Sequence, residues 1–277
     1  MAWPRVVGIA LGAVIIGHSA AVAQSLPPGQ REREARFGPL LANPREPGFF
    51  AAYLWGRSKQ LGSRLATIGV GQTIALARSE NWELAIGAGV FSQFNLESAT
   101  SDLINTDYLV GFPLTYRRGD FATRFRLYHQ SSHLGDEYLL HTGARRTNLT
   151  FESAELLFSR EGTSWRVYGG GEYAFARSPS DLKPAVVRAG LEYRAARPLV
   201  RLGRLATGAL ITGLDVTATQ ARVWQPGWSL VGGLEMTTPG SAWHWSLLLK
   251  AYTGPTPYGQ FYQDWLSSIG GGVSFAR

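Results

Sequence analysis

Residues Ala66–Val90 read ATIGVGQTIALARSENWELAIGAGV, and the period of this stretch decides the fold. In an extended chain, alternate side chains share a face. Ala66, Ile68, Val70, Ile74 and Leu76 therefore point one way, and Thr67, Gly69, Gly71, Thr73 and Ala75 the other. After the polar break Arg78–Asn81 the rule resumes, with Trp82, Leu84, Ile86, Ala88 and Val90 set against Glu83, Ala85, Gly87 and Gly89. One face is apolar and the opposite one is small or polar. That is the pattern of a barrel wall with lipid outside and a polar lumen inside.

From Phe49 onward the chain divides into segments of this kind. We expect strands at Phe49–Arg57, Ala66–Ala77, Trp82–Phe94, Asn105–Arg117, Phe121–Ser131 and Arg146–Ser159. The rest are Trp165–Ala176, Ala185–Ala195, Leu205–Thr219, Gly227–Thr237, Trp243–Thr253 and Leu266–Phe275. The fold expected is therefore all-β, a closed antiparallel transmembrane β-barrel of about 12 strands, an even number as such barrels require. Short polar joins (Arg78–Asn81, Arg118–Asp120, Arg160–Ser164, Thr238–Ala242) mostly alternate with long ones (Asn95–Ile104, Ser132–Arg145, Gly254–Trp265). This fits periplasmic turns and extracellular loops; Ala196–Arg204 is too long for a tight turn. Trp82, Trp165, Trp243 and Trp245 follow short turns, where an aromatic girdle at the periplasmic interface would sit. A soluble β-sandwich would also alternate. Inward faces rich in Gly, Thr, Arg and Glu rather than bulky apolar residues argue against it.

The N-terminal segment reads as an address. Arg5 precedes the apolar run Val6–Gly17, and Ala21-Val22-Ala23 is a small-residue cleavage site. Residues 1–23 are expected to be a signal peptide, 24–47 a polar leader loosely docked or poorly ordered, and 48–277 the barrel. The chain has no cysteine, a formal charge of +7 and only 17% charged residues. Its basic residues are scattered, which argues against nucleic acid and suits attraction to anionic lipid headgroups. The cell outer membrane is the expected location.

One strand carries more than architecture. In FATRFRLYHQSSHLGDE (Phe121–Glu137), Phe121, Thr123, Phe125, Leu127, His129 and Ser131 share the apolar face. Ala122, Arg124, Arg126, Tyr128 and Gln130 share the other, where the arginines would meet inward carboxylates such as Glu83 or Glu172. The loop pattern puts His129 and Ser131 at the extracellular end, near the outer-leaflet headgroups. A serine needs a base to take its proton, and a histidine two residues away on the same face can serve. The histidine needs a third group to hold its tautomer. Asn148 or Glu152, four residues apart on the next strand, could supply it.

His129-Gln130-Ser131 followed 17 residues later by Asn148 resembles the arrangement of outer membrane phospholipase A. The resemblance implies a twelve-stranded barrel with Ser131 as nucleophile, His129 as base and Asn148 as orienting residue. It also implies calcium, for which Asp136 and Glu137 are the oxygen donors at hand. The chain departs from that pattern after Ser131, where Ser132-His133-Leu134-Gly135 follows. Arg126–Glu137, Asn105-Thr106-Asp107-Tyr108, Tyr168–Tyr173 and Tyr258-Gly259-Gln260-Phe261-Tyr262 are similar to an uncharacterised family of Gram-negative envelope proteins, a domain of unknown function.

Three functions stay open on the sequence. The first is a serine-dependent acyl hydrolase of membrane lipids, phospholipid or lipopolysaccharide, and a homodimer would be consistent with it. The second is a structural or binding barrel using the loops Ser132–Arg145 and Gly254–Trp265. The third, least favoured, is a pore.

Overall fold

The computed structural model describes residues 36–203 and 205–276; the expected signal peptide, Met1–Ala23, lies outside them. The chain forms β1 (Phe49–Arg57), β2 (Arg64–Arg78), β3 (Trp82–Asn95), β4 (Leu103–Arg118), β5 (Phe121–Leu134), the helix α1 (Asp136–Thr142), β6 (Leu149–Glu161) and β7 (Trp165–Ser178). It continues with β8 (Ala185–Arg194), β9 (Val200–Leu202), β10 (Ala206–Thr219), β11 (Pro226–Thr237), β12 (His244–Pro255) and β13 (Trp265–Ala276). Twelve of these strands pair antiparallel with their sequence neighbours, and β13 returns to β1, from Phe49↔Phe275 to Arg57↔Ser267. The sheet is thereby closed and presents no free edge along the wall.

β9 is the thirteenth strand and lies outside this cycle. It pairs only with the first residues of β10 (Leu202↔Ala206, Val200↔Gly208), beyond the point where β8 stops at Arg194↔Ile211. The join that was too long for a tight turn is thus a small hairpin extending the sheet. At the other rim, β6 begins at Leu149 rather than Arg146. The preceding loop spends residues on α1, which ends on Gly143 in the left-handed region (φ 65°), a conformation that glycine adopts without strain.

Alternation sorts the wall into two environments. On β4, Tyr108, Val110, Phe112, Leu114 and Tyr116 are exposed, while Asp107, Leu109, Gly111, Pro113 and Thr115 are buried. An apolar exterior of this extent has no counterpart on a soluble monomer. Trp82, Trp165 and Trp243 stand exposed at the short-turn rim.

The lumen is filled rather than open. Residues 36–47 enter from the short-turn rim, where Arg36 donates to the Ser79 carbonyl and Arg117 to the Arg36 carbonyl. Phe37 and Leu40 pack on Ala122, Leu157 and Tyr168, and Ala42 on Ile211, Val231 and Leu248. Arg166 donates to the carbonyls of Gly38 (3.0 Å) and Pro39 (2.5 Å), and Glu192 accepts the Leu41 amide at 2.7 Å. Residues 36–47 are the described part of the segment expected to be a polar leader. Their apolar side chains are the lumen's core, and wall side chains satisfy their backbone groups.

Most buried charges inside the barrel are paired, as desolvation demands. Glu155 takes Arg124 at 3.0 Å and Arg126 at 2.8 Å, and Glu46 takes Arg124 at 2.5 Å. Arg166–Glu192 (2.6 Å), Arg188–Asp215 (3.0 Å) and Arg194–Glu235 (2.6 Å) continue the network. The partners expected for Arg124 and Arg126 are therefore corrected: Glu83 pairs with Arg78, and Glu172 accepts the hydroxyls of Tyr128 and Ser153. Those acids lie in the same lateral rows but two strands away (Glu83 beyond Thr115 from Arg124, Glu172 beyond Glu155 from Arg126), whereas Glu155 lies on the adjacent strand directly across from Arg126.

Candidate functional site

β5 and β6 carry the candidate site on the outer wall near the long-loop rim. Their register sets His129 directly opposite Glu152 and Ser131 opposite Thr150. All four side chains belong to the outward rows, since the intervening Gln130 and Ser153 are buried in the lumen. His129 Nδ1 and Glu152 Oε1 are 2.8 Å apart, with their side chains 40% and 44% exposed. An ionised carboxylate can only accept, so Nδ1 carries a proton, and in the neutral ring Nε2 then keeps its lone pair. That is the tautomer a general base needs. Opposite Glu152, β7 holds one extra residue, Phe175, between the pairs Glu152↔Ala176 and Ser153↔Ala174. Bulges of this kind re-aim neighbouring side chains.

Ser131 shares the face but is not hydrogen-bonded to His129. The two are successive outward residues, about 6.6 Å apart along the strand. Asn148 is not drawn into the site: it precedes β6, one register step beyond Ser132↔Leu149, and makes no hydrogen bond to His129. Glu152 occupies the place the sequence left open between the two. Tyr108 lies across from Ser131 on β4, and its ring meets that of His133 edge-on, centroids 5.8 Å apart and planes at 67°. Neither Tyr108 nor His133 is among the catalytic residues expected from the sequence. The available signal was the continuation of the outward row past Ser131.

The residues named for calcium do not assemble a cage. Asp136 pairs with Arg146, and Glu137 accepts the Leu103 amide at 3.4 Å. His141 is bonded to Asp102 at 2.5 Å. Among the described residues no three His, Cys, Asp or Glu side chains gather where a metal could be held. The two carboxylates expected for calcium are thus each engaged with another group of the chain.

The other motifs singled out in the sequence form a clasp over the mouth of the barrel. Buried Asp107 accepts the Ser132 hydroxyl, the Asn105 amide (3.0 Å) and the Gly259 backbone N–H (2.9 Å). Gln260 Nε2 donates to the carbonyls of Ser132 (2.7 Å) and Thr147 (2.8 Å). A Cβ on Gly259 would stand 2.6 Å from the Ser132 side chain, so the approach requires glycine. Tyr138 of α1 packs edge-on against Phe261 at 5.7 Å, over a core that includes Leu61, Leu65, Ile104 and Leu266. Half-open spaces of about 130 Å³ and 340 Å³ lie inside the barrel wall, and the His129, Ser131 and Glu152 side chains line neither.

A family model described as "Protein of unknown function (DUF1207)" matches residues 13–276. No curated protein matches the sequence. Among solved structures, the barrel is similar to outer membrane phospholipase A from Escherichia coli, with 14% identity over 83% of this chain and 91% of that one, at a TM-score of 0.58. It is also similar to the Salmonella typhi outer membrane phospholipase dimer with bound calcium, with 13% identity over 83% and 92% and a TM-score of 0.57. At such identities the likeness shows the fold, a closed barrel of the outer-membrane type.

Proposed function

The chain belongs to that family of unknown function, DUF1207, and we propose that it is an outer-membrane, serine-dependent acyl hydrolase acting on membrane lipid from the outside of its barrel. The observation that carries this reading is the 2.8 Å contact between His129 Nδ1 and Glu152 Oε1 on the outer wall, with Ser131 next along the same row. On this reading the short-turn rim is periplasmic, the long loops are extracellular, and the site meets the outer-leaflet headgroups.

The chemistry balances with these three groups. Ser131 Oγ attacks the ester carbonyl carbon as its proton passes to His129 Nε2, and the carbonyl π pair moves onto oxygen. Collapse expels the alcohol, which takes the proton back, and leaves an acyl-serine. Water deacylates the serine by the same transfers. Glu152 stabilises the imidazolium formed in each half. The strand spacing of about 6.6 Å would have to close by χ1 rotation of the two side chains, and catalytic contacts are commonly looser before substrate arrives.

The substrate class extends to phospholipid or lipid A esters, and a second copy of the chain could meet the same wall. The E. coli and Salmonella phospholipases lend this reading their fold. Purified protein should release fatty acid from detergent-dispersed phospholipid. Ser131→Ala should abolish the release and Glu152→Gln should reduce it; release unaltered by Ser131→Ala refutes the assignment. A structural barrel is the second reading, favoured by the missing Ser131–His129 hydrogen bond. It predicts no serine labelling by a fluorophosphonate. The filled lumen disfavours a pore.

A further inference from the structure

We propose that Tyr108 and His133 donate to the oxyanion that forms on the substrate when Ser131 attacks, so that the site stabilises this charge with side chains and needs no metal. This inference rests on the acyl-hydrolase reading and names the one function that reading leaves unassigned. A tetrahedral intermediate carries a full negative charge on the former carbonyl oxygen, and donors aimed at it are usually the largest single catalytic contribution.

The wall itself narrows the candidates. Ser131, Ser132 and His133 are in register with Tyr108, Asp107 and Thr106 on β4, and Ser131 and Ser132 are also in register with Thr150 and Leu149 on β6. Amides in such a ladder lie in the plane of the sheet, bonded to the neighbouring strands, and do not project from its outer face. The oxyanion must therefore be met by side chains. Thr150 already donates to the Gln130 carbonyl at 3.1 Å. The carboxylates suggested for calcium are engaged with Arg146 and the Leu103 amide.

Two ring donors stand on the outward rows beside Ser131, while Asn148, which would face His133, lies outside β6. Tyr108 is its direct cross-strand neighbour, 47% exposed, where opposed Cβ atoms are about 5 Å apart. His133 is the next outward residue, and its ring is held edge-on by that of Tyr108 at 5.8 Å. Neither side chain makes a hydrogen bond to any described residue, so both N–H and O–H are available to substrate. The base and the donors then flank the nucleophile: His129 with Glu152 on one side, Tyr108 with His133 on the other. The acyl oxygen would be directed toward β4 and the leaving group toward His129.

The test compares wild type, Tyr108→Phe, His133→Phe and the double variant, each refolded in detergent, with ester turnover measured with and without EDTA. Far-ultraviolet circular dichroism verifies that each barrel is folded. Loss of a single oxyanion donor typically lowers kcat by roughly 10²–10³-fold. We expect such a fall in kcat for the double variant at nearly constant KM, and wild-type turnover indifferent to EDTA. If Ser131→Ala abolishes turnover while the double variant keeps kcat within about twofold, the donor assignment is wrong and the hydrolase reading stands. Loss of wild-type activity in EDTA also overturns the donor assignment. If Ser131→Ala leaves turnover intact, or wild type turns over no ester, the hydrolase reading falls and takes this one with it.

Discussion

Replacing Glu155 by alanine is expected to destabilise the barrel by about 3 kcal/mol, and the number follows from what the carboxylate holds. Its side chain is only 4% exposed, with one oxygen on Arg124 Nε at 3.0 Å and the other on Arg126 Nη2 at 2.8 Å. Removing one partner of a buried ion pair costs about 3–5 kcal/mol, because the other charge is left desolvated and unpaired. Here the cost falls at the low end, since Arg124 keeps Glu46 at 2.5 Å. Arg126 is the group left unpaired. Its Nε already lacks a hydrogen-bond partner, and among the described residues the Tyr128 ring, 4.7 Å away, and the more distant Glu46 charge are what remain to it. Three kilocalories correspond to roughly a 140-fold change in the folding equilibrium.

The assay is urea unfolding of the detergent-solubilised barrel, followed by its tryptophan fluorescence. The midpoint should fall while the slope stays constant. Glu155→Gln keeps an acceptor and should lose less. Joint replacement Arg126→Met with Glu155→Leu removes both charges and should recover most of the loss, as apolar replacement of buried pairs often does. An unchanged midpoint in Glu155→Ala refutes the reasoning. So does an apolar pair as weak as Glu155→Ala.

Other outcomes follow from the same structure. Gly259→Ala forces a Cβ to 2.6 Å from the Ser132 side chain; the clasp should loosen by about 1–3 kcal/mol, read as faster protease nicking at residues 256–264, and an unaltered cleavage rate counts against the clasp. Wild-type protein should show no conductance steps in a planar bilayer, whereas deletion of residues 38–46 should produce them; a silent deletion barrel would mean that wall side chains alone close the lumen. Asp102 is held below the ordinary aspartate range, first by the Thr100 hydroxyl and then by His141. Because its folded form favours the charged state, the Thr100–Asp102–His141 contacts should be intact at neutral pH and lost as pH falls through that lowered value. Hydrogen exchange at the Asp102 amide should show this acid limb and should lose it in Asp102→Asn. Intact mass of exported protein should start at Gln24, and any other start displaces the proposed cleavage site.

Much of the wall was legible residue by residue. A strand's two faces are set by neighbours two positions away, so Ile68 and Val70 announced the lipid side and Thr67 and Gly69 the lumen. Local turn chemistry gave the break at Gly119, where φ is +59°. The outward placement of His129 and Ser131 followed from the same parity. Parity says nothing about which acid meets which arginine, so Glu83 and Glu172 were as reasonable as Glu155 until the register was known. The motifs around Asp107 and Gly259 were visible as patterns, but their purpose was not, because they meet across 152 residues of chain.

By itself, then, the order of residues determined a closed barrel with twelve wall strands, its apolar outside and its polar inside. Only the tertiary structure decided that residues 36–47 fill the lumen, that β9 lengthens one rim, and that Glu152 rather than Asn148 holds His129. The division has one cause. Strand parity and turns are local properties of the chain. Cross-strand register, the closure of β13 on β1 and the docking of a segment inside the lumen arise between parts of the chain far apart in sequence, where no short-range pattern records them.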